Sequence, residues 1–390
     1  MENFEFVSPT HFVFGKHAEE KVGAMLKERG AQKVLLHFGG ESARKSGLID
    51  RIIASLEACS IAHVELGGVR PNPEVSLVRE GISICKDQGV DWVLAVGGGS
   101  VIDSSKAIAV GALFDGDVWD FFETKKPTSD VLPIAVVLTI PAAGSEASKN
   151  TVISNDELGL KSGYPNDHQR PKIAFMNPEL TFTLPPYQTS AGLTDMYAHL
   201  LERFFCDVGS VPVTDNLCIS LMKTIRSEAR RVLDNPLNYD ARANVMWAGM
   251  LCHQGLAGLG RHEDWTTHAL EHEISALDTS ITHGAGLAVL FPAWMRFVYK
   301  ENPGRFALYG CEVFGLTPTG DIDSDALRAI ECTQQFYQSL GMPSRLSEFG
   351  ITEEQIDSML PTLKINKGEI FGSFKKLTIE DAKAIYLSAL

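Results

Sequence analysis

The chain has 390 residues, 44% hydrophobic and 22% charged, which is enough apolar material for more than one core and excludes wholesale disorder. Its 49 acidic against 35 basic residues give a formal net charge of −14, which argues against non-specific binding to nucleic acid or to an anionic membrane. Apolar runs are broken by Gly, Asp or Pro well short of the ~20 residues of a spanning helix. Residues 1–15 contain no basic stretch followed by an apolar one, so no secretory leader is expected. The seven cysteines are scattered with no CxxC pair, so reduced thiols in a cytoplasmic protein are expected.

In chain order, Lys33–Phe38 is a short apolar run ending in Gly39 and Gly40, followed by a helical pattern through Leu48, Ile52, Ile53 and Leu56. Ile61–Leu66 is strand-like and Val75–Cys85 helix-like. Asp91–Val96 reads as a buried strand ending in Gly97-Gly98-Gly99-Ser100, and Leu132–Thr139 as another ending at Pro141. Strand, glycine turn and helix in repetition predict βαβ units and a parallel sheet. After Pro185 and Pro186 strand candidates become rare. Helix-period segments cover 187–206, 213–233, 239–259, 265–277 and 324–340. The expected architecture is therefore an α/β domain over 1–184 and an all-helical domain over 185–390.

Gly97-Gly98-Gly99-Ser100-x-x-Asp103-x-x-Lys106 falls where a strand turns into a helix. Glycines there let backbone N–H groups approach an anion, and the helix amino end adds partial positive charge. The pattern is neither of the standard dinucleotide or NTP fingerprints, and a plain tight βα turn is the competing reading. A second such loop, Thr139-Ile140-Pro141-Ala142-Ala143-Gly144-Ser145-Glu146, follows the next strand. Two loops at successive strand ends favour a dinucleotide.

Asp195 and His199 are four residues apart in a predicted helix and share a face. His268 and His272 repeat that spacing on a second helix, and His283 follows eleven residues on. A carboxylate with imidazoles suits Zn²⁺ or Fe²⁺ better than Mg²⁺. Each histidine taken alone also reads as a satisfied core or surface residue. His268-Ala269-Leu270-Glu271-His272 lacks the general base of H-E-x-x-H, which excludes a zincin protease.

These residues, in this order, resemble the iron-containing (group III) alcohol dehydrogenase family, closest to its NADPH-dependent butanol dehydrogenase branch, nearly end to end. Phe4-x-Phe6-x-x-Pro9-Thr10-x-x-x-Phe14-Gly15 looks like the family's first strand. The resemblance implies a Rossmann-like sheet followed by a helical domain, the fold shared with dehydroquinate synthase. It implies a pyrophosphate loop at Gly97, Gly98, Gly99, Ser100 and Asp103, and a second cofactor loop at Thr139, Gly144 and Ser145, with Lys161 as a further cofactor contact. Asp195, His199, His268 and His283 occupy the four metal-ligand positions, holding one Fe²⁺ or Zn²⁺, and His272 stands beside the nicotinamide as the candidate catalytic proton relay. Fourteen residues separate His268 from His283 where the family has thirteen, so a loop in 275–282 must absorb one.

NAD-preferring relatives carry an aspartate where this chain has Gly39. Gly39 and Gly40, with Ser42, Arg44 or Lys45 nearby, therefore suggest NADP(H) in preference to NAD(H), although Glu41 opposes this. The implied activity is reduction of short to medium aliphatic aldehydes, or oxidation of the corresponding alcohols, by a homodimer. Met196, Phe204, Phe205 and Trp265 are candidates for an apolar pocket wall, or simply for helix core. The rival functions are a glycerol-type polyol dehydrogenase, a dehydroquinate-synthase-like lyase and a non-catalytic nucleotide-binding protein.

Overall fold

The computed structural model describes residues 1–207 and 209–390. They form two compact units, Val7–Leu184 and Pro185–Leu390, and the second also takes in Met1–Phe6.

The first unit is built on six strands: β1 (His11–Phe14), β2 (Lys33–Phe38), β3 (Ala62–Leu66), β4 (Trp92–Gly97), β5 (Ile134–Leu138) and β8 (Ile173–Met176). All are parallel, in the order β1-β8-β5-β4-β2-β3. Every residue of the central strands β4 and β5 is buried, as expected of a parallel sheet covered on both faces. The covering helices are α1 (Val22–Glu28), α2 (Ser42–Lys45), α3 (Leu48–Ala58), α4 (Val75–Gln88), α5 (Gly99–Gly111) and α6 (Trp119–Thr124). On one face Val22, Leu26, Ile49 and Ile52 pack with Leu36, Leu94, Val137 and Phe175. An antiparallel hairpin, β6 (Asn150–Asn155) and β7 (Leu160–Pro165), stands apart from the sheet.

The sequence pattern indicates β2, β3, β4 and β5 within two residues of their observed ends. It does not isolate β8 or the hairpin. Residues 150–165 are polar enough to pass for a loop, and their tight turn is marked only by Gly159 at φ 63°.

The second unit contains α7 (Pro186–Phe204), α8 (Pro212–Asp234), α9 (Tyr239–His253), α10 (Thr266–Leu277), α11 (His283–Val298), α12 (Pro303–Phe314), α13 (Ile322–Ser339), α14 (Glu353–Lys367) and α15 (Ile379–Ser388). A two-residue pairing of β9 (Ile370–Phe371) with β10 (Leu377–Thr378) precedes the last helix. Prolines stand in the first turn of α7, α8 and α12, where their fixed φ costs no hydrogen bond. Helix α7 is buried all round from Thr189 to Phe204, and α8, α9 and α11 pack against it. It is the axis of the unit, so polar residues on it demand an explanation.

No helix among the described residues is long and apolar enough to cross a membrane, and all seven cysteines are free thiols.

Candidate functional site

Three helices of the second unit bring the Asp–His set together. Asp195 and His199 lie one turn apart on α7, His268 lies on α10, and His283 is the first residue of α11. Two glycines permit the approach. A Cβ on Gly284 would stand 2.1 Å from the carbonyl oxygen of Ala191, and one on Gly286 would stand 2.8 Å from Cγ of Glu271. Both are helical glycines, so the need is for space rather than for unusual backbone angles. The connection between α10 and α11 covers 278–282, within the 275–282 segment where the extra residue is expected.

The geometry converges on one atom. Nδ1 of His199, Nε2 of His268 and Nε2 of His283 stand 3.7, 3.9 and 3.8 Å from Oδ1 of Asp195. These separations are too long for hydrogen bonds. Each is close to the ~3.4 Å separation of two ligands that both lie about 2.1 Å from one ion, and one ligating atom from each of Asp195, His199 and His268 lies within 4.8 Å of the others, a set His283 approaches through Asp195. Asp195 Oδ1, His199 Nδ1 and His268 Nε2 are buried and have no hydrogen-bond partner among the described residues. Each such orphan costs about 1–3 kcal/mol, so three of them facing one point fit a cation-binding site. One carboxylate and three imidazoles match a single Fe²⁺ or Zn²⁺.

Two fully buried carboxylates complete this arrangement, and neither was singled out in the sequence. Oε1 of Glu202, on α7, accepts from Nδ1 of His268 at 2.8 Å and from its backbone N–H at 2.9 Å. Oε2 of Glu271, on α10, accepts from Nδ1 of His283, while Ser275 donates to its other oxygen. In each case the imidazole nitrogen facing the gap is fixed by a bond on the far side of the ring, the usual support for a metal-bound histidine. The signal was present in the spacing, because Glu202 follows His199 by three residues and Glu271 follows His268 by three, each on the same helix face.

Electrostatics follow from this packing. Burial, with His253, His268 and Arg203 nearby, holds His199 well below the usual imidazole value. Burial works against His268 too, yet the carboxylates of Asp195 and Glu202 outweigh it and raise that residue to about 9. An ion entering the site must displace the His268 proton.

His272 is half-buried on α10, its ring centroid 5.6 Å from that of His283. One ligating atom from each of Glu271, His272 and His283 lies within 4.8 Å of the others. Of the four apolar candidates, Met196, Phe204 and Phe205 are wholly buried, and Phe205 stacks on Phe306 at 4.3 Å. They are helix core. Trp265 instead lies with its ring edge-on to His268 at 5.0 Å and to His199 at 5.8 Å.

In the first unit, strand order reverses between β2 and β4. Ligands of open parallel sheets bind beyond the carboxyl ends of the strands at such a switch point. Gly39 and Gly40 follow β2 there, and Gly97–Ser100 carry β4 into α5. A Cβ on Gly98 would meet Ile140 at 3.0 Å, and one on Gly99 would meet Ala143 at 2.9 Å, so these glycines let the first loop lie against the second. Thr139 donates its N–H to Gly97 O at 3.0 Å, and Gly144 takes φ 61°.

Asp103 and Ser145 bond each other, Ser145 Oγ donating to Asp103 Oδ1 at 2.5 Å. Lys161, on β7, donates to Asn72 Oδ1 at 2.9 Å. Ser42 opens α2, and Arg44 pairs with Glu65 while its guanidinium lies 5.2 Å over the Phe38 ring. No side chain fills the Gly39 position, where a Cβ would make only ordinary contacts, 3.5 Å to Val69 O and 3.6 Å to Val101 Cγ2.

A parallel sheet with two glycine turns at its switch point, and a helical unit with a carboxylate and three imidazoles around one gap, are the parts of a metal-dependent dehydrogenase. Comparison with known proteins agrees. Residues 9–178 match the model for iron-containing alcohol dehydrogenase, and residues 189–390 match the C-terminal model of the Fe-containing alcohol dehydrogenase family. The chain belongs to the iron-containing alcohol dehydrogenase family.

It is 39% identical over 387 residues to the NADH-dependent butanol dehydrogenase A of Clostridium acetobutylicum, covering 99% of each chain. It is 32% identical over 392 residues to the NADPH-dependent aldehyde reductase YqhD of Escherichia coli, covering 100% of each. The crystal structure of NADH-dependent butanol dehydrogenase A from Thermotoga maritima superposes with a TM-score of 0.96 at 38% identity, over 100% of this chain and 99% of that one.

Proposed function

We propose that this protein is a metal-dependent, nicotinamide-linked alcohol dehydrogenase and aldehyde reductase acting on short to medium aliphatic aldehydes and primary alcohols. The observation that carries it is the convergence of three imidazole nitrogens on the unpartnered Asp195 oxygen. Asp195, His199 and His268, whose ligating atoms lie within 4.8 Å of one another, would hold one Fe²⁺ or Zn²⁺, with His283 as the fourth ligand from its position 3.8 Å from the same Asp195 oxygen. When bound, the ion supplies Lewis acidity toward a carbonyl oxygen and the nicotinamide supplies or takes the hydride.

The chain's own residues do the rest. Glu202 and Glu271 keep His268 and His283 in the tautomer and orientation that present a lone pair to the ion. Gly97–Ser100 and the segment from Thr139 to Ser145 hold the pyrophosphate by backbone N–H groups and the start of α5, with Lys161 as a further contact. His272 holds and moves a proton at its ring nitrogen, relaying it to or from the substrate oxygen. Trp265 supplies an apolar wall beside His199 and His268, which favours aliphatic chains over polyols.

For the cofactor we favour NADP(H). Gly39 leaves the end of β2 without the carboxylate that would repel a 2′-phosphate, and Arg44 is held at that end by Glu65 and Phe38. A preference for NAD(H) is the second reading. Glu41 adjoins the same turn, and butanol dehydrogenases 37–40% identical to this chain are NADH-dependent by name. Oxidation of NADPH and NADH with butyraldehyde, measured in parallel, separates the two. A cytoplasmic homodimer is the expected form, and light scattering of the purified protein checks the assembly.

A further inference from the structure

Beneath the second cofactor loop lies a charged cluster that the proposed chemistry does not use. Lys106, on α5, has no exposed surface. Its ammonium donates to Ser145 Oγ at 2.7 Å, to Asn150 O at 2.7 Å and to Ser148 O at 3.0 Å. An ammonium has three protons, and all three are taken. Asp103, one turn earlier on α5, accepts from Ser145 Oγ at 2.5 Å and from the N–H of Val152 at 2.9 Å, and its carbonyl accepts from Thr151 Oγ1 at 2.7 Å.

The Ser145 hydroxyl thus gives its only proton to Asp103 and accepts from Lys106. By valence, neither Lys106 nor the Ser145 hydroxyl has a proton left for a phosphate. Burial brings Lys106 down to about 8 against the opposing pull of Asp103 and Glu146, which leaves it largely charged at neutral pH.

We propose that Asp103 and Lys106 are positioning residues that clamp the 144–152 segment onto α5, presetting the backbone of both glycine loops for the nicotinamide cofactor without touching it. This rests on the dinucleotide reading of those loops and changes the roles within it. Asp103 and Ser145, which the family resemblance places among cofactor contacts, act through the backbone they hold. The clamp spans one helix and the segment beginning with Gly144, whose φ of 61° marks the turn that must be kept. A preset loop binds its ligand more tightly because the ordering cost is met during folding.

The test uses the full metal-loaded protein. Lys106→Met keeps the length and removes the ammonium. Thr151→Val is isosteric and removes one bond at the far side of the clamp. Cofactor affinity is read from the fluorescence of NADPH and NADH on titration, alongside KM, kcat, bound metal and amide exchange of residues 143–150. We expect Lys106→Met to raise the cofactor Kd and KM at least tenfold and to speed exchange of 143–150 in the free protein. Bound metal should be unchanged, and kcat at saturating cofactor should stay within threefold. Thr151→Val should raise Kd two- to fivefold, and it decides the matter if the lysine variant does not fold.

A merely structural role would lower the melting temperature in both variants and leave cofactor Kd where it was, which overturns the proposal. A fall in kcat with unchanged Kd also overturns it. Failure of the unaltered chain to bind either cofactor removes the dinucleotide reading itself, and the clamp with it, and is told apart because the parent protein then shows no titration at all.

Discussion

Replacing Glu202 by Gln tests whether the carboxylates behind the histidines serve an ion. The side chain is fully buried, and a single oxygen accepts both the ring and the backbone N–H of His268, at 2.8 and 2.9 Å. The other oxygen has no partner among the described residues. A glutamine can therefore keep both bonds through its own carbonyl oxygen, with the amide nitrogen where the orphan oxygen was. Shape and bond number survive, and only the negative charge is lost.

A hydrogen bond to a charged group contributes about 1.5–3 kcal/mol against about 0.5–1.5 for a neutral one, so the exchange should cost roughly 1.5 kcal/mol in a site that binds a dication. That corresponds to about tenfold weaker metal binding, the low end of the 10- to 100-fold range typical of such partners. Competition between the protein and a chromophoric chelator measures it, and activity at saturating metal should stay within a few-fold of the parent. If Glu202→Gln bound Fe²⁺ or Zn²⁺ with unchanged affinity, the gap between the histidines would not be a metal site of this construction.

Three further outcomes follow from the geometry. Gly39→Asp fits without clash, since the added Cβ makes ordinary contacts and the backbone is not in the left-handed region. It should lower the ratio of NADPH to NADH turnover by ten- to a hundredfold, equivalent to about 1–3 kcal/mol of carboxylate–phosphate repulsion, and an unchanged ratio places cofactor choice elsewhere. His272→Gln should reduce kcat by about 10²-fold or more, as expected for loss of a proton relay, while metal content stays at one per chain. Loss of the metal would instead make His272 a ligand.

His37 is buried between Leu66 O and Ser104 Oγ, both at 2.8 Å, and burial lowers it from 6.5 to about 4 despite the bond to Leu66. Its neutral form is the folded one, so stability is present above pH 6.5 and is lost as pH falls toward 4, by about 2 kcal/mol at pH 5. Denaturant unfolding of the parent and of His37→Gln at pH 7.5 and 5 should show a loss about 2 kcal/mol larger in the parent, and equal losses contradict the assignment.

How much of this was legible in the sequence depended on the kind of constraint. Strands β2, β4 and β5 were visible because parallel strands buried on both faces are largely apolar, and because glycine or proline follows each within three residues. The hairpin β6–β7 was not visible, since Asn150–Asn155 and Leu160–Pro165 pair with each other outside the main sheet and carry Asn, Ser and Lys. At the site, Asp195 and His199 stood out by their four-residue spacing, but nothing local in sequence relates them to His283, which depends on Gly284 passing close to Ala191.

Glu202 and Glu271 follow His199 and His268 by three residues and so share their helix faces, but a glutamate in a helix ordinarily faces water, and it is complete burial that sets these two apart. The roles of Asp103 and Lys106 were likewise hidden. The motif marks them as a pair with the glycines, while their partners, Ser145 to Val152, lie about forty residues away.

Turnover should depend on the ion that Asp195, His199, His268 and His283 would hold. The most direct measurement strips the purified protein of metal, reloads it with Fe²⁺ or Zn²⁺ and follows NADPH and NADH oxidation with butyraldehyde, with bound metal counted in the parent and in His199→Ala. The parent should bind one ion per chain and regain oxidation when metal is restored, and His199→Ala should do neither. Oxidation that persists unchanged in the stripped protein, or full metal content and full turnover in His199→Ala, would contradict this.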